Sequence, residues 1–266
     1  MCGSNPRTYL TPRPPSRNSG PMKSKLLHSF ATRHNAGRIV QYGRRIDMEV
    51  QGATFATWHP EQVLTGYSWD AMSAAALWHP SRAPRDVLLL GLAGGTMVRI
   101  LRHFFPKVRI TAVELDEELI QLGVEHMHLD TTDLILHIGD AYAYLDRTEH
   151  RFDVILDDVF LAGAADVYRP ERVDNGIAVR YRRALKDDGI VAVNMITDKP
   201  HRPLLKKTAA ALSSVFSRHI AITAPRGYNQ ALVAGTRLNQ ARQVRELKVS
   251  FPCASDERLW RRLQPD

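Results

Sequence analysis

The sequence predicts an α/β fold: a doubly wound, mostly parallel sheet with helices on both faces, preceded by a small N-terminal β region. Three observations predict it. Strand and helix patterns alternate at regular spacing from Pro84 onward. The run Val87–Leu90 is continuously apolar, as in a parallel strand buried on both faces. Between Arg38 and Trp58 the apolar residues alternate with polar ones, the pattern of half-buried strands.

The elements follow in order. Residues 1–37 read as a basic tail without regular structure, because the Pro, Ser, Arg and Asn of residues 1–21 bury too little apolar surface to offset ordering. Residues 38–83 read as a small β-hairpin region with a short helix. Ile46, Met48 and Val50 share one face, Gln51-Gly52 is a turn signal, and Thr54, Ala56 and Trp58 share the next face. Ser68–Leu77 is alanine-rich and follows Gly66, which predicts the helix. Residues 84–238 carry the main domain. Its predicted helices are Thr96–Phe105, Asp116–Leu129, one starting at Ala141, Val173–Leu185 and Pro203–Phe216. Its predicted strands are Val87–Leu90, Val108–Leu115, Leu134–Ile138, Phe152–Leu156, Ile190–Ile196, His219–Thr223 and Ala231–Gly235, the last with an antiparallel entry left open. Residues 239–266 form a charged C-terminal extension with room for a terminal helix.

Composition narrows the function. The chain has 266 residues and a net charge of +8. Residues 1–50 hold nine Lys or Arg against two acids, while the remainder holds 27 against 26. The excess charge therefore sits in the tail. The body repeats no basic face or aromatic platform, so the tail reads as solvated and no nucleic-acid partner is expected. No apolar run approaches the ~20 residues of a membrane span, and no secretory signal is visible. Cys2 and Cys253 suggest neither a disulfide framework nor a metal site, which fits a cytoplasmic protein. His126 and His128 stand two apart, a spacing that points to different helix faces, so no metal is expected.

In an open parallel sheet, ligands bind beyond the carboxyl ends of the strands. The first strand ends in Gly91-Leu92-Ala93-Gly94-Gly95-Thr96. It reads either as a ligand-cradling turn before a helix N-terminus or as a tight turn with no ligand. The second strand ends in Glu114-Leu115-Asp116. Glu114 is placed to accept from ribose hydroxyls, and Asp116 reads as a helix cap. Asp140, before Ala141, can accept from an adenine amino group, cap the next helix, or do both. Asp157 and Asp158 end the fourth strand. Adjacent strand residues point to opposite sides, so one of them faces the crevice, where it can orient or deprotonate an amine. The four strand ends together fit a nucleoside bound across strands one to three, with the reacting group over strand four. The imperfect glycine pattern lowers a dinucleotide oxidoreductase reading.

The stretches VLLLGLAGGTMVRIL, ITAVELDEELIQLG, LHIGDAYAYL and FDVILDDVF resemble spermidine synthase and its bacterial spermidine synthase-like relatives. GYSWDAM and GYNQALVAG also resemble segments of that family. The resemblance implies a Rossmann-like domain of the class I methyltransferase type, a preceding small β domain and a homodimer. It implies S-adenosylmethionine or decarboxylated S-adenosylmethionine at Gly91, Gly94, Gly95, Glu114, Leu115, Asp140 and Ala141. It places ribose binding on Glu114, adenine on Asp140 and catalysis on Asp158, with Asp157 as neighbour.

The departures bear on the substrate. In the family's GGGDGG turn the Asp holds the aminopropyl amine, and Gly94 stands there. The second Asp of its DSSDP-like loop aligns with Leu161. The Tyr and His or Gln of its YHEM or YQEM motif align with Trp69 and Asp70. Trp69, Asp70, Asp157 and Tyr168 are therefore candidate contacts to a small-molecule acceptor. Fewer acids argue against a polycationic substrate. The expectation is methyl transfer to a nucleophile near Asp158, with aminopropyl transfer or a non-catalytic nucleoside-binding protein as alternatives. Phe160–Arg172 is long enough to act as a lid; Tyr168, Arg169 and Arg172 on it read either as contacts to an anionic or aromatic acceptor or, the favoured reading, as solvated lid residues.

Overall fold

The structure, a computed structural model, describes residues 24–162, 167–169, 175–239 and 249–265. Four antiparallel strands open it: β1 (Ser24–Ala31), β2 (Ala36–Tyr42), β3 (Arg45–Val50) and β4 (Ala53–Trp58), in that order. Ile39, Met48 and Ala56 form a buried face that packs against Leu119, Leu122 and Met127. Residues 24–37 were expected in the tail, but most of them form β1 and the start of β2. The register slips between Leu26 and His28, which breaks the alternation a regular strand shows. Leu27 and Phe30 nonetheless rest on the cluster of the small sheet. The rest of the expected tail, residues 1–23, lies outside the described residues.

Helix α1 (Ser68–Ala75) leads to β5 (Asp86–Leu90), α2 (Thr96–Phe104), β6 (Arg109–Glu114), α3 (Glu117–Met127) and β7 (Leu134–Ile138). Then follow α4 (Ala141–Arg147), β8 (Phe152–Asp157), a two-residue pair β9 (Leu161–Ala162) and β10 (Val167–Tyr168), and α5 (Asn175–Ala184). β11 (Leu185–Ile196), α6 (Arg202–Val215), β12 (Arg218–Thr223), β13 (Asn229–Gly235), α7 (Ala254–Trp260) and β14 (Gln264–Pro265) complete the fold. The large sheet has the order β14-β12-β13-β11-β8-β5-β6-β7. The strands β11, β8, β5, β6 and β7 are mutually parallel, and β13 enters antiparallel between β11 and β12.

Alternation across the buried strands builds two cores. Val87 and Leu89 face α1 and α2, while Leu88 and Leu90 face α4, α5 and α6. Val87–Leu90 of β5 are all buried, as their unbroken apolar run predicts, and Asp86 before them is buried in ion pairs with Arg109 and Lys186. Two details differ from expectation. The strand expected to start at Ile190 starts earlier: α5 ends at Ala184 and β11 begins at buried Leu185, with an irregularity before Ile190. The C-terminal extension is not an appendage: Leu259, Trp260 and Leu263 join the core, and β14 pairs with β12. No helix among the described residues is long and apolar enough to cross a membrane.

Candidate active site

The strand order reverses between β5 and β8, which opens a crevice at their carboxyl ends. A cleft of about 280 Å³ lies there. Gly91, Glu114, Leu115, Asp140, Ala141, Asp158 and Trp69 all line it. Gly94, Gly95, Asp70, Asp157 and Tyr168 do not.

Gly91 permits the close approach at the floor. Its φ is +88°, and a Cβ there would stand 2.7 Å from the Asp158 carbonyl oxygen. The Asp158 N–H donates to the Leu90 carbonyl at 2.9 Å, so the catalytic candidate is fixed by the sheet itself. Gly94 and Gly95 turn away from the cleft and line a second cavity of about 170 Å³ behind the turn. A Cβ on Gly94 would meet Met127 Sδ at 2.5 Å and Ala56 Cβ at 2.8 Å. An acid at this position would point into the packing against the small sheet, not toward a substrate amine.

Glu114 Oε2 accepts from the Leu92 and Ala93 N–H groups at 2.9 and 2.8 Å, and Oε1 accepts from Asp116 N–H at 3.0 Å. The carboxylate braces the turn, and Oε1 keeps a lone pair for a ribose hydroxyl. Asp140 Oδ1 caps α4 through the Ala143 N–H at 2.7 Å. Its second oxygen has no partner among the described residues, so cap and acceptor roles are compatible. Asp116 precedes α3 without a side-chain cap bond. It accepts instead from Thr32 Oγ1 and Asn35 Nδ2, at 2.5 and 2.6 Å.

Asp158 is partly buried, and its Oδ1 accepts from Asn194 Nδ2 at 2.6 Å. Loss of water pushes its carboxyl up to about 6, while the Asn194 bond, Arg169 and the Trp69 indole hold it down and Asp157 opposes them. Asn229 Nδ2 donates to Asn194 Oδ1 at 3.1 Å, so a chain of amides backs the acid.

Asp157 faces the other way and is fully buried. It accepts from Tyr142 Oη at 3.2 Å, from Tyr181 Oη, and from Arg169 Nη2 at 2.6 Å. It therefore braces the core and does not reach an acceptor. Arg169 is correspondingly no solvated lid residue: its side chain is 3% exposed. Asp70 is also fully buried. It accepts from the Thr65 N–H, the Thr65 hydroxyl and the Gly66 N–H, and holds the loop before α1. Burial pushes its carboxyl up to about 6. Tyr168 is 51% exposed on β10, outside the cleft. Arg172 lies outside the described residues.

Sequence reasoning missed Asn35, Phe55, Asn194 and Asn229 in the cleft lining. Asn194 carried a signal: it is a polar residue at the end of a buried strand, opposite the strand that carries Asp158. Phe55 and Asn35 carried none, because the small sheet reaches the cleft only through tertiary packing. Among the described residues, no cluster of three His, Cys, Asp or Glu is placed to hold a metal ion. His128 stacks on Trp58 and His126 on His28.

A doubly wound sheet with Glu114, Asp140 and Asp158 at three successive strand ends defines a Rossmann-like domain of the class I methyltransferase type. Sequence comparison gives the family. The spermine/spermidine synthase domain matches residues 66–245, and the chain belongs to that family. It is 28% identical over 176 residues to the "probable polyamine aminopropyl transferase" of Bifidobacterium longum, across 64% of this chain and 38% of that protein. It is 34% identical over 92 residues to the "eEF1A lysine and N-terminal methyltransferase homolog" of Drosophila melanogaster, across 32% of this chain and 14% of that protein. The chain thus spans less than two fifths of either relative. The crystal structure of spermidine synthase from Thermotoga maritima shares the fold, with a TM-score of 0.66 and 16% identity over 88% of this chain and 82% of that one.

Proposed function

We propose that this chain transfers an alkyl group from a sulfonium nucleoside to an amine held at Asp158. Aminopropyl transfer from decarboxylated S-adenosylmethionine is the leading reading. The observation that carries it is the shared cleft: Glu114 and Asp140 line one part of it, and Asp158 lines another. The family membership and the aminopropyl transferase relative support this choice. The preference for methyl transfer drawn from the sequence rested on Gly94. That residue points away from the cleft, so its missing carboxylate says little about the cofactor.

The donor set fits such a nucleoside. Glu114 would hold the ribose, Asp140 the adenine amino group, and Leu115 and Ala141 would flank the base. The neutral amine attacks the carbon next to sulfur. The N–C bond forms, the C–S pair returns to sulfur, and a thioether nucleoside leaves. The proton lost by the new ammonium passes to the Asp158 carboxylate or to solvent. Asp158 contributes chiefly by orienting the nitrogen lone pair in line. Trp69 and Phe160 help to keep water from the reacting atoms.

Methyl transfer from S-adenosylmethionine is the second reading. Leu161, which stands where the family's polyamine-binding Asp aligns, lines the cleft as an apolar residue and favours a less charged acceptor. Methyltransferase relatives add support. A homodimer and a cytoplasmic setting belong to the proposal through the family resemblance. Calorimetric titration with both sulfonium nucleosides and with methylthioadenosine tests it. Binding of at least one is expected, with tighter binding of the decarboxylated form under the leading reading. Absence of binding by all three overturns both.

A further inference from the structure

Asp157 and Arg169 form a buried ion pair one residue from the catalytic candidate. Their atoms lie 2.6 Å apart, and the side chains are 0% and 3% exposed. Arg169 Nη1 also donates to the Asn194 carbonyl at 3.1 Å. The side-chain amide of the same Asn194 donates to Asp158 at 2.6 Å. The guanidinium lies 5.3 Å from the centre of the Phe160 ring, which lines the cleft. Arg169 thus reaches Asp158 by its charge and by fixing Asn194.

We propose that Arg169 is a positioning residue that keeps Asp158 in the ionised, amine-orienting form, and that Asp157 both anchors Arg169 and moderates its charge. The proposal rests on the assignment of the amine site to Asp158. Opposite charges near a carboxylate act in opposite senses: a cation favours ionisation and an anion opposes it. Arg169 lowers and Asp157 raises the carboxyl of Asp158 in accord with this. The other groups around Asp158 are Trp69 from α1, Asn194 from β11 and Asn229 from β13, all neutral. Glu114 and Asp140 line the same cleft from the ends of β6 and β7. The hydroxyls of Tyr142 and Tyr181, from α4 and α5, are pushed up by burial and stay neutral. Arg169 is the cation acting on Asp158 among the described residues of these elements.

The test is the titration midpoint of Asp158 itself. It is read by ¹³C NMR of the full chain labelled at aspartate carboxyls, with the signal assigned by its loss in Asp158→Asn. Arg169→Gln raises the midpoint and Asp157→Asn lowers it, each by about half a unit or more. Arg169→Lys keeps the charge and holds the wild-type midpoint. Both neutral variants break the same ion pair, so mere loosening of the structure moves both midpoints the same way. Shifts of the same sign, no shift, or a Lys variant that titrates like the Gln variant overturn the proposal. If a single variant does not fold, the double variant R169Q/D157N replaces it. Its midpoint then rises, because Arg169 outweighs Asp157, and an unchanged or lower value is contradictory. The readout needs no nucleoside or acceptor, so failure of the proposed transferase function is seen separately in calorimetry.

Discussion

Asn194 Nδ2 donates to Asp158 Oδ1 at 2.6 Å, across the seam where β11 lies beside β8. Register creates this contact. Val193 pairs with Asp157, so the residue after each strand partner meets the other. The bond fixes one carboxylate oxygen, and the Trp69 indole, which lines the same cleft, donates to the carboxylate as well. Consequences for chemistry, pH and stability follow from how these two residues are held.

Under the proposed mechanism, activity requires the ionised form of Asp158. Its carboxyl stands at about 6, so the charged form predominates above that value. Turnover is expected to rise as pH increases through about 6 and to be lost below it. An acid limb in kcat/KM checks this once an acceptor is in hand.

Ionising a carboxyl that burial has raised costs stability. The folded state holds this proton more tightly than the unfolded chain, whose Asp titrates near 3.9. The Asp158 contribution therefore diminishes as pH rises from about 4 to about 6 and stays lost above. Asp158→Asn removes the charge and should stabilise the protein by about 1–2 kcal/mol at pH 7.5, with little change near pH 4. Denaturant unfolding at the two pH values measures the difference.

Glu114 joins two roles, bracing the turn and facing the cleft. Glu114→Ala leaves the N–H groups of Leu92, Ala93 and Asp116 without their acceptor. A loss of about 1–3 kcal/mol of stability is expected, with nucleoside affinity reduced by at least tenfold. Glu114→Gln, which keeps one acceptor oxygen, should recover stability more fully than affinity. Paired unfolding and calorimetry separate the two effects.

Gly94→Asp restores the family's residue but not its contact. The new side chain meets Met127 and Ala56 at distances that force the packing apart. The variant should lose about 1–3 kcal/mol of stability and gain no affinity for decarboxylated S-adenosylmethionine. A stable variant with tighter binding would show that the turn can rotate toward the cleft.

Asp70→Ala tests the correction at the start of α1. Three donors from Thr65 and Gly66 lose their acceptor inside the fold. Thermal unfolding should show a loss of about 2–4 kcal/mol, with substrate affinity altered only as far as the fold loosens. A fully stable variant with lost affinity would return Asp70 to the site.

The sheet was legible because each parallel strand is a short apolar run and each ends in a turn or an acid. Glu114 and Asp140 could be read from position, since topology dictates what strand ends face; position left Asp157 and Asp158 open, and the family resemblance chose Asp158. What escaped depends on contacts between distant segments. The two adjacent acids Asp157 and Asp158 look alike in sequence; the buried Arg169, Tyr142 and Tyr181 decide which turns inward. The direction of Gly94 is set by Met127 and Ala56, from α3 and β4. Asn35 was hidden because the slip between Leu26 and His28 disguised β1 as tail.

The central claim is that Asp158 acts on an amine beside a nucleoside held by Glu114 and Asp140. The most direct test incubates wild-type protein and Asp158→Asn with each sulfonium nucleoside and a set of amines, and identifies the nucleoside product by mass. Wild type is expected to release methylthioadenosine from the decarboxylated donor. Asp158→Asn should bind that donor with unchanged affinity and release product at least about a hundredfold more slowly. Nucleoside binding without any product from the wild type, or equal turnover by Asp158→Asn, would contradict the account.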